Sequence, residues 1–573
     1  MHNSIEMYLL LIPAVLVFAY LLWIRLRLSL AKHPSLRGHA KWSRRMARLV
    51  PYYSFGPECF FSSDGAPPEV ADQRRAGIDR LLRQLHARSP RSIEFGATLE
   101  DRISDVNFTS AYRVPFPYRE GLAKALRQGS IVDRSEGVRL RDIDGNWRYD
   151  LSGSYGVNVF GYDFYKDCLT EAERIAGPLG PVLGPYHPVI RDNVERLQAI
   201  SGLDEVSFHM SGTEAVMQAV RLARYHTGRS HLVRLCGAYH GWWDGVQPGV
   251  GNQRKTSDVY TLRDLSERTL KVLETRRDIA CVLINPLQAL HPNADAAGDA
   301  TLVSSSRSAH FDRASYTRWL QQLREVCTRR GIILIFDEVF TGFRLAHRGA
   351  QEYFGIQADM VTYGKTLGGG LPVGVLCGRH QLMQRFKQAQ PANIAFARGT
   401  FNSHPYVMAA MNVFLQRVQE PYYQRLYRAA DDLWNERARQ LNDQLAAAQL
   451  PLRVANMHSI WTVLYTVPSR YNWMYQFYLR DQGLELSWVG SGRLIMSLNY
   501  SDDEFAAVMQ RFIEAARQMA MDGWWWQSEQ LTQRGIQRQL ATEMLRARFG
   551  LQPVASRPPA TSDTITAITG RTP

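Results

Sequence analysis

The sequence predicts an α/β fold, with a mainly parallel sheet, helices between its strands, and one apolar helix ahead of the folded body. Three patterns carry this. Short apolar runs at Glu205–Met210, His231–Leu235, Ala280–Asn285 and Ile332–Phe336 read as buried strands. Helical periodicity at Thr213–His226 and Ala314–Arg330 separates them, which gives βαβ units. Met7–Ile24 (MYLLLIPAVLVFAYLLWI) is an uncharged stretch that spans roughly 27 Å as a helix, about the thickness of a bilayer core.

The flanks of that stretch orient it. Eight basic residues (Arg25, Arg27, Lys32, Arg37, Lys41, Arg44, Arg45, Arg48) and no acidic one lie between Arg25 and Pro57, more than half of the net charge of +14. A basic arm directly behind an apolar helix points to an anionic membrane surface rather than nucleic acid, and places the body in the cytosol, beneath the cytoplasmic (inner) membrane. MHNSIE offers no positive charge ahead of the run, so a cleaved signal peptide is not expected. Trp23 and Trp42 suit the interface. The alternative is a helix buried in a globular core. Hydrophobic content of 45% and charged content of 21% exclude wholesale disorder. The six cysteines are widely spaced with no CxxC pair, which excludes a disulfide scaffold or zinc ribbon and gives no metal site.

Further elements follow in order. A helix is expected at Ala71–Arg88, a surface excursion at Pro292–Ser315, long helices after Ser403 and a smaller α/β stretch to about Asp522. Beyond Trp524–Trp526 a basic helix runs to about Phe549, and the Pro/Thr/Ser end reads as disordered.

The chemistry concentrates around IILIFDEVFTGFR and YGKTLGGGLPVG. A buried strand ends in Asp337 and Glu338, where parallel sheets bind ligands, and Lys365 follows beside Gly364 and Gly368–Gly370. A lysine stripped of water is a nucleophile toward aldehydes, and a carboxylate can hold a ring nitrogen in its protonated form. The plainer reading is a surface lysine in a glycine-rich loop beside a solvated acid pair. Ser211, Gly212 and Thr213 open a helix, which suits a phosphate cradle or an ordinary N-cap. Tyr239 and His240 directly follow a strand, where an aromatic either stacks on a planar ligand or packs in the core.

The ordered set SGTEA, AYHGWWDG, DEVFTGFR, YGKTLGGGLPVG and RGTFNSHP resembles the class III (fold type I) pyridoxal-phosphate aminotransferases, and among them the glutamate-1-semialdehyde aminomutases, over roughly Asn107–Ala516. The resemblance implies pyridoxal 5′-phosphate as cofactor and a homodimer with shared active sites. It makes Lys365 the lysine that bonds the cofactor and Asp337 the partner of its pyridine nitrogen. Ser211, Gly212 and Thr213 become phosphate contacts, Tyr239 the stacking aromatic with His240 beside it, and Gln288 a neighbour of the 3-hydroxyl. Thr400 would reach the phosphate of the partner subunit. The implied organisation is an anchor (1–24), a basic juxtamembrane segment and linker (25–105), the N-terminal part of a small domain (106–185), a large cofactor domain (186–410), the C-terminal small domain (411–522) and a tail (523–573).

On the substrate side the resemblance implies Ser110, Arg113, Tyr155 and Arg493. Two departures stand out: Asn285–Pro286 replaces the family's Glu-Pro, and Gly492 occupies the place of a glutamate near the substrate. The favoured function is transfer of an amino group between a small-molecule donor and an aldehyde or keto acceptor, hydrophobic or carrier-bound, in lipid or secondary-metabolite synthesis. An intramolecular 2,1-amino shift and a non-catalytic scaffold on the same fold are the alternatives.

Overall fold

The computed structural model describes residues 2–32, 39–100, 102–127, 129, 131–254, 256–286, 312–487 and 492–551. The chain forms two compact units. The first contains Met1–Ala47, Asp167–Ala294 and Phe311–Arg428; the second contains Arg48–Lys166, Asp295–His310 and Ala429–Pro573.

The first unit opens with helix α1 (His2–Ala31) and helix α2 (Ala40–Leu49). Among the described residues one helix, Ile12–Ala31 within α1, is long and apolar enough to cross a membrane, with mean hydropathy 1.8 and 6% of it buried. It runs on past Ile24 through Arg25 and Arg27 because Leu26, Leu28 and Leu30 keep helical propensity high. The Arg27 guanidinium lies 3.8 Å from the Trp23 ring centre. At the other end Ala31 is buried, and its carbonyl accepts a 2.9 Å bond from the Arg263 amide, so α1 ends on the body of its own unit.

That body is a seven-stranded sheet. Its strands are β1 (Glu205–His209), β2 (His231–Leu235), β3 (Val259–Leu262), β4 (Ile279–Ile284), β5 (Ile333–Asp337), β6 (Met360–Gly364) and β7 (Gly374–Gly378), in spatial order β1-β7-β6-β5-β4-β2-β3. Only β7 runs against its neighbours. Every residue of β4 is buried, as a strand covered on both faces requires. Helix α3 (Gly212–Thr227) lays Val216, Ala219, Leu222 and Ala223 on Leu283, Ile335, Met360 and Leu376. Helix α4 (Glu267–Thr275) packs on α1, and helix α5 (Arg313–Arg330) on α4. The Asp312 side chain caps the start of α5, and Gly331, at φ +57°, ends it. Strands β1, β2, β4 and β5 and helices α3 and α5 lie within one residue of their sequence-derived bounds, while β3, β6, β7 and α4 had none. The excursion expected at 292–315 falls outside the described residues up to 311, as does the tail beyond 551.

The second unit holds a four-stranded sheet (Val132–Glu136, Arg139–Asp142, Trp147–Asp150, Leu484–Glu485) and a three-stranded antiparallel one (Leu452–Met457, Ile460–Tyr465, Arg493–Ile495). The stretch that reads as a linker is built into it. Arg74, on the helix Pro68–Arg88, makes a bidentate pair with Asp64 at 2.8 and 2.7 Å, both side chains buried. The tail contributes helix α6 (Gln533–Arg548), whose buried Glu543 accepts two bonds from Arg470 (2.7 and 2.9 Å) and one from the Tyr53 hydroxyl (3.0 Å). Buried polar pairs such as Tyr53 with Glu543, 490 residues apart, leave no periodic trace in either segment.

Candidate active site

Six strands of the first unit's sheet run the same way, so the ends of β1, β2, β5 and β6 share one edge. That edge collects Ser211, Gly212, Thr213, Tyr239, His240, Asp337 and Lys365. Asp337 is the last residue of β5 and is 3% exposed. It accepts from His240 Nδ1 at 2.7 Å, from the Val339 amide at 3.1 Å and from the Thr362 hydroxyl at 3.3 Å. Burial pushes the His240 pKa down more strongly than the Asp337 carboxylate pulls it up, so a neutral ring donates from Nδ1. His240 Nε2 is buried and has no hydrogen-bond partner among the described residues.

The acid pair splits. Successive residues at a strand end point to opposite sides, and Glu338 turns away from the edge to accept from the amides of Ala350 and Gln351. Burial raises its pKa to about 8, against the pull of those amides. Glu338 thus organises the turn at Gly349 rather than the site.

Lys365 follows Gly364 with φ +50°, a left-handed conformation rare for a side chain bearing a Cβ. Its Nζ lies 4.6 Å from the centre of the Phe340 ring. Such strain persists only where the surroundings impose it, and here Gly364 packs so closely that a Cβ would lie 2.9 Å from the Val373 carbonyl oxygen. Two glycines bring the remaining backbone together. A Cβ on Gly212 would meet Val339 at 2.6 Å, and one on Gly241 would meet Thr213 Oγ1 at 2.5 Å.

The Ser211 hydroxyl accepts from the Glu214 amide at 3.3 Å, so it serves as the N-cap of α3, the plainer of its two sequence readings. The amides of Gly212 and Thr213 begin that helix, where backbone N–H groups and the helix dipole favour an anion. Tyr239 presents its ring to solvent, 64% exposed. Thr400 sits exposed on a loop of the same unit, one residue after Gly399, where an added Cβ would lie 3.9 Å from Glu214 Oε2. Gln288 lies outside the described residues.

The substrate-side candidates belong to the second unit. Ser110 lies in the helix Ser104–Tyr112, and Arg113, 7% exposed, follows its end. Burial lowers the Arg113 pKa, opposed by the charges of Glu485 and Tyr155. Tyr155 is half-exposed with φ +57°, and Arg493 pairs with Thr462 across the small sheet. Gly492 has φ +70° and hands its carbonyl to the Val463 amide at 2.8 Å.

Three further residues were not legible beforehand. Thr362 and Phe340 read as ordinary strand and turn residues. Arg480 is 1% exposed and donates to the carbonyls of Leu486 (3.3 Å) and Ser487 (2.8 Å); burial, with Arg113 nearby, lowers its pKa to about 9. An arginine inside a strongly apolar helix, YQFYLRD, was the available signal.

A family model described as "Aminotransferase class-III" matches residues 123–516. Glutamate-1-semialdehyde 2,1-aminomutase of Methanocaldococcus jannaschii is 30% identical over 397 residues, covering 66% of this chain and 80% of the relative. The protein of that name from Nitratidesulfovibrio vulgaris strain DP4 is 32% identical over 404 residues, covering 68% and 91%. Among solved structures, a transaminase with PLP bound superposes with TM-score 0.59 at 26% identity, over 75% of this chain and 99% of that one. A glutamate-1-semialdehyde-aminomutase from Pseudomonas aeruginosa PAO1 in complex with PMP shares the fold, with TM-score 0.62 at 18% identity over 78% and 98%.

Proposed function

The chain belongs to the class III aminotransferases, which work with pyridoxal 5′-phosphate, and from that premise we propose a membrane-anchored enzyme that moves an amino group between a donor and an aldehyde or keto acceptor. The single observation that carries the catalytic part is the edge where Lys365, Asp337 and the start of α3 meet. Its residues fit the cofactor. Gly212 and Gly241 let the start of α3 close on Val339 beside Asp337 and on the loop after His240, the first amides of α3 suit a phosphate, and Asp337 is a buried acid for the ring nitrogen.

When bound, the cofactor supplies an aldehyde carbon and a ring that takes up the electron pair of the bond being broken. The protein's residues do the rest. Asp337 holds a proton on the ring nitrogen, and His240 fixes which carboxylate oxygen is turned toward it. Thr213 and the α3 amides would hold the phosphate, and Tyr239 would offer an aromatic face to the ring. Lys365 would hold the cofactor at its aldehyde carbon, and its Nζ, when free, would carry the proton of the substrate's α-carbon. Ser110, Arg113, Tyr155 and Arg493 supply contacts to the substrate, Arg113 and Arg493 to an anionic group on it. Thr400 contributes to the phosphate site of a second subunit, so the active form is a homodimer.

The anchor rests on α1. Ile12, Leu16 and Phe18 are 59%, 63% and 68% exposed, which is unfavourable in water and natural in a bilayer. The basic residues behind it put the body in the cytosol, on the inner face of the cytoplasmic membrane. Anchoring raises the effective concentration of an amphiphilic carbonyl substrate, which fits lipid or secondary-metabolite synthesis. An intramolecular 2,1-amino shift is the second reading, favoured by the names of the similar aminomutases. Gly492 stands against it, since it leaves no negative charge where the resemblance expects one beside the substrate amine.

The test loads the full-length protein in its amino form and screens soluble oxo-acids, short aldehydes and long-chain aldehydes for return of the cofactor's aldehyde absorbance. The same screen is repeated after deletion of residues 1–24. Transfer to long-chain carbonyls that weakens on deletion, with short aldehydes unaffected, supports the proposal. A full-length protein that fractionates as soluble, or that prefers short polar oxo-acids regardless of membranes, refutes it.

A further inference from the structure

Helix α2 has two faces. Ser43 is buried and Arg44 is half-buried against the body of the first unit, while Lys41, Trp42, Arg45 and Met46 face solvent, with Trp42 56% exposed. The Arg45 guanidinium lies 5.4 Å from the Trp42 ring centre. An exposed tryptophan and methionine among cations, on a helix with no acidic residue, is the composition of a helix that lies in a lipid interface. Its place argues for the same partner, because α2 begins only nine residues after the apolar helix α1 ends.

The inward face of α2 reaches the cofactor edge. Arg44 Nη1 donates to the carbonyls of Asn252 (3.0 Å) and Arg254 (2.9 Å). The Asn252 side-chain Nδ2 donates to the Gln247 carbonyl (2.9 Å), and Gln247 Nε2 donates to the Gly241 carbonyl (3.3 Å). Gly241 packs against Thr213 and directly follows His240, which holds Asp337. One unbroken run of hydrogen bonds thus links α2 to the loop 239–254 that carries two of the proposed cofactor contacts.

We propose that the Lys41–Trp42–Arg45–Met46 face of α2 docks on an anionic bilayer surface, and that Arg44 transmits this docking to the loop 239–254, so that the cofactor edge is fully ordered only at such a surface. The proposal rests on the membrane anchoring argued above. Each cation near an anionic surface favours the docked helix, and the hydrogen bonds of Arg44 pass that preference to a loop whose outer part, at Val250–Arg254, lies largely in solvent. Arg44 is a positioning residue: it touches neither cofactor nor substrate.

The test compares the full-length holoenzyme in phosphatidylcholine nanodiscs with and without phosphatidylglycerol, reading amide hydrogen exchange of the peptides covering 241–254. The expected result is exchange about fivefold slower in the anionic discs. Arg44→Ala should erase the difference while leaving the protein in the discs. Lys41→Glu with Arg45→Glu, on the solvent face where folding is not at stake, should erase it as well. Equal exchange in both lipids, with the protein retained, overturns the coupling and leaves the anchor standing. A protein that leaves the discs overturns both. Equal slowing by a DNA oligonucleotide in detergent would make the partner a nucleic acid and overturn the bilayer assignment.

Discussion

The Asp337 carboxylate and the His240 imidazole meet at 2.7 Å across 97 residues of sequence, at the sheet edge where β5 and β2 both end. With Val339 and Thr362 also donating to Asp337, the carboxylate is fixed in direction before any ligand arrives. Replacement of Asp337 by Asn should keep the fold and the cofactor while lowering kcat by roughly 10²–10⁴-fold, because an amide lacks the charge that stabilises a proton on the ring nitrogen. His240→Asn should cost less, about tenfold, since it loosens the carboxylate without removing it. Near-normal turnover of Asp337→Asn would sink the assignment.

Lys365 should be the one lysine that borohydride reduction links covalently to the cofactor, identified by peptide mapping. Lys365→Ala should bind cofactor without that link and lose at least about a thousandfold in turnover. Labelling of a different lysine-bearing peptide removes Lys365 from its role.

Glu338 predicts a pH dependence of stability. Its carboxyl keeps its proton to about pH 8 in the folded protein, whereas the ordinary value of 4.5 applies to the unfolded chain. Between those values the folded state binds more protons, so this group makes stability fall as pH rises through that window. Glu338→Gln has one acceptor oxygen where the two amides use two, Ala350 donating to Oε2 and Gln351 to Oε1, so it gives up one of those bonds. With nothing left to titrate it should flatten the slope, so that its stability relative to the parent is better at pH 8 than at pH 5. Urea denaturation of both proteins at acidic and alkaline pH checks this.

Thr400 tests the shared site. Mixing a Lys365→Ala chain with a Thr400→Ala chain should restore activity, because one site of each mixed dimer then has both residues intact. No recovery where subunit exchange is demonstrated by size-tagged chains counts against the proposed homodimer.

The Arg470–Glu543 pair predicts that the C-terminal helix is part of the fold. Both side chains are buried, at 0% and 3% exposure, so Glu543→Ala strands a guanidinium and should cost about 3–5 kcal/mol in thermal or urea unfolding. The double change Arg470→Met with Glu543→Leu should recover most of that loss. A Glu543→Ala protein as stable as the parent would show that α6 is dispensable.

The sequence by itself determined four of the seven sheet strands and the helices α3 and α5, since apolar runs and helical periodicity are local signals that burial enforces residue by residue. It also singled out Lys365 and Asp337 as candidates, through the order of five motifs along the chain rather than through either residue alone. Tertiary structure alone decided the division of labour between Asp337 and Glu338. Both are acids at one strand end, and only the position of the amides of Ala350 and Gln351 tells which turns away. It likewise decided that Arg44 grips the loop beside His240, and that the apparent linker and tail lock together through Tyr53, Arg470 and Glu543. The physical reason is the same in each case. A hydrogen bond or buried ion pair is specified by two groups brought together in space, and neither group carries in its own neighbourhood any record of the other.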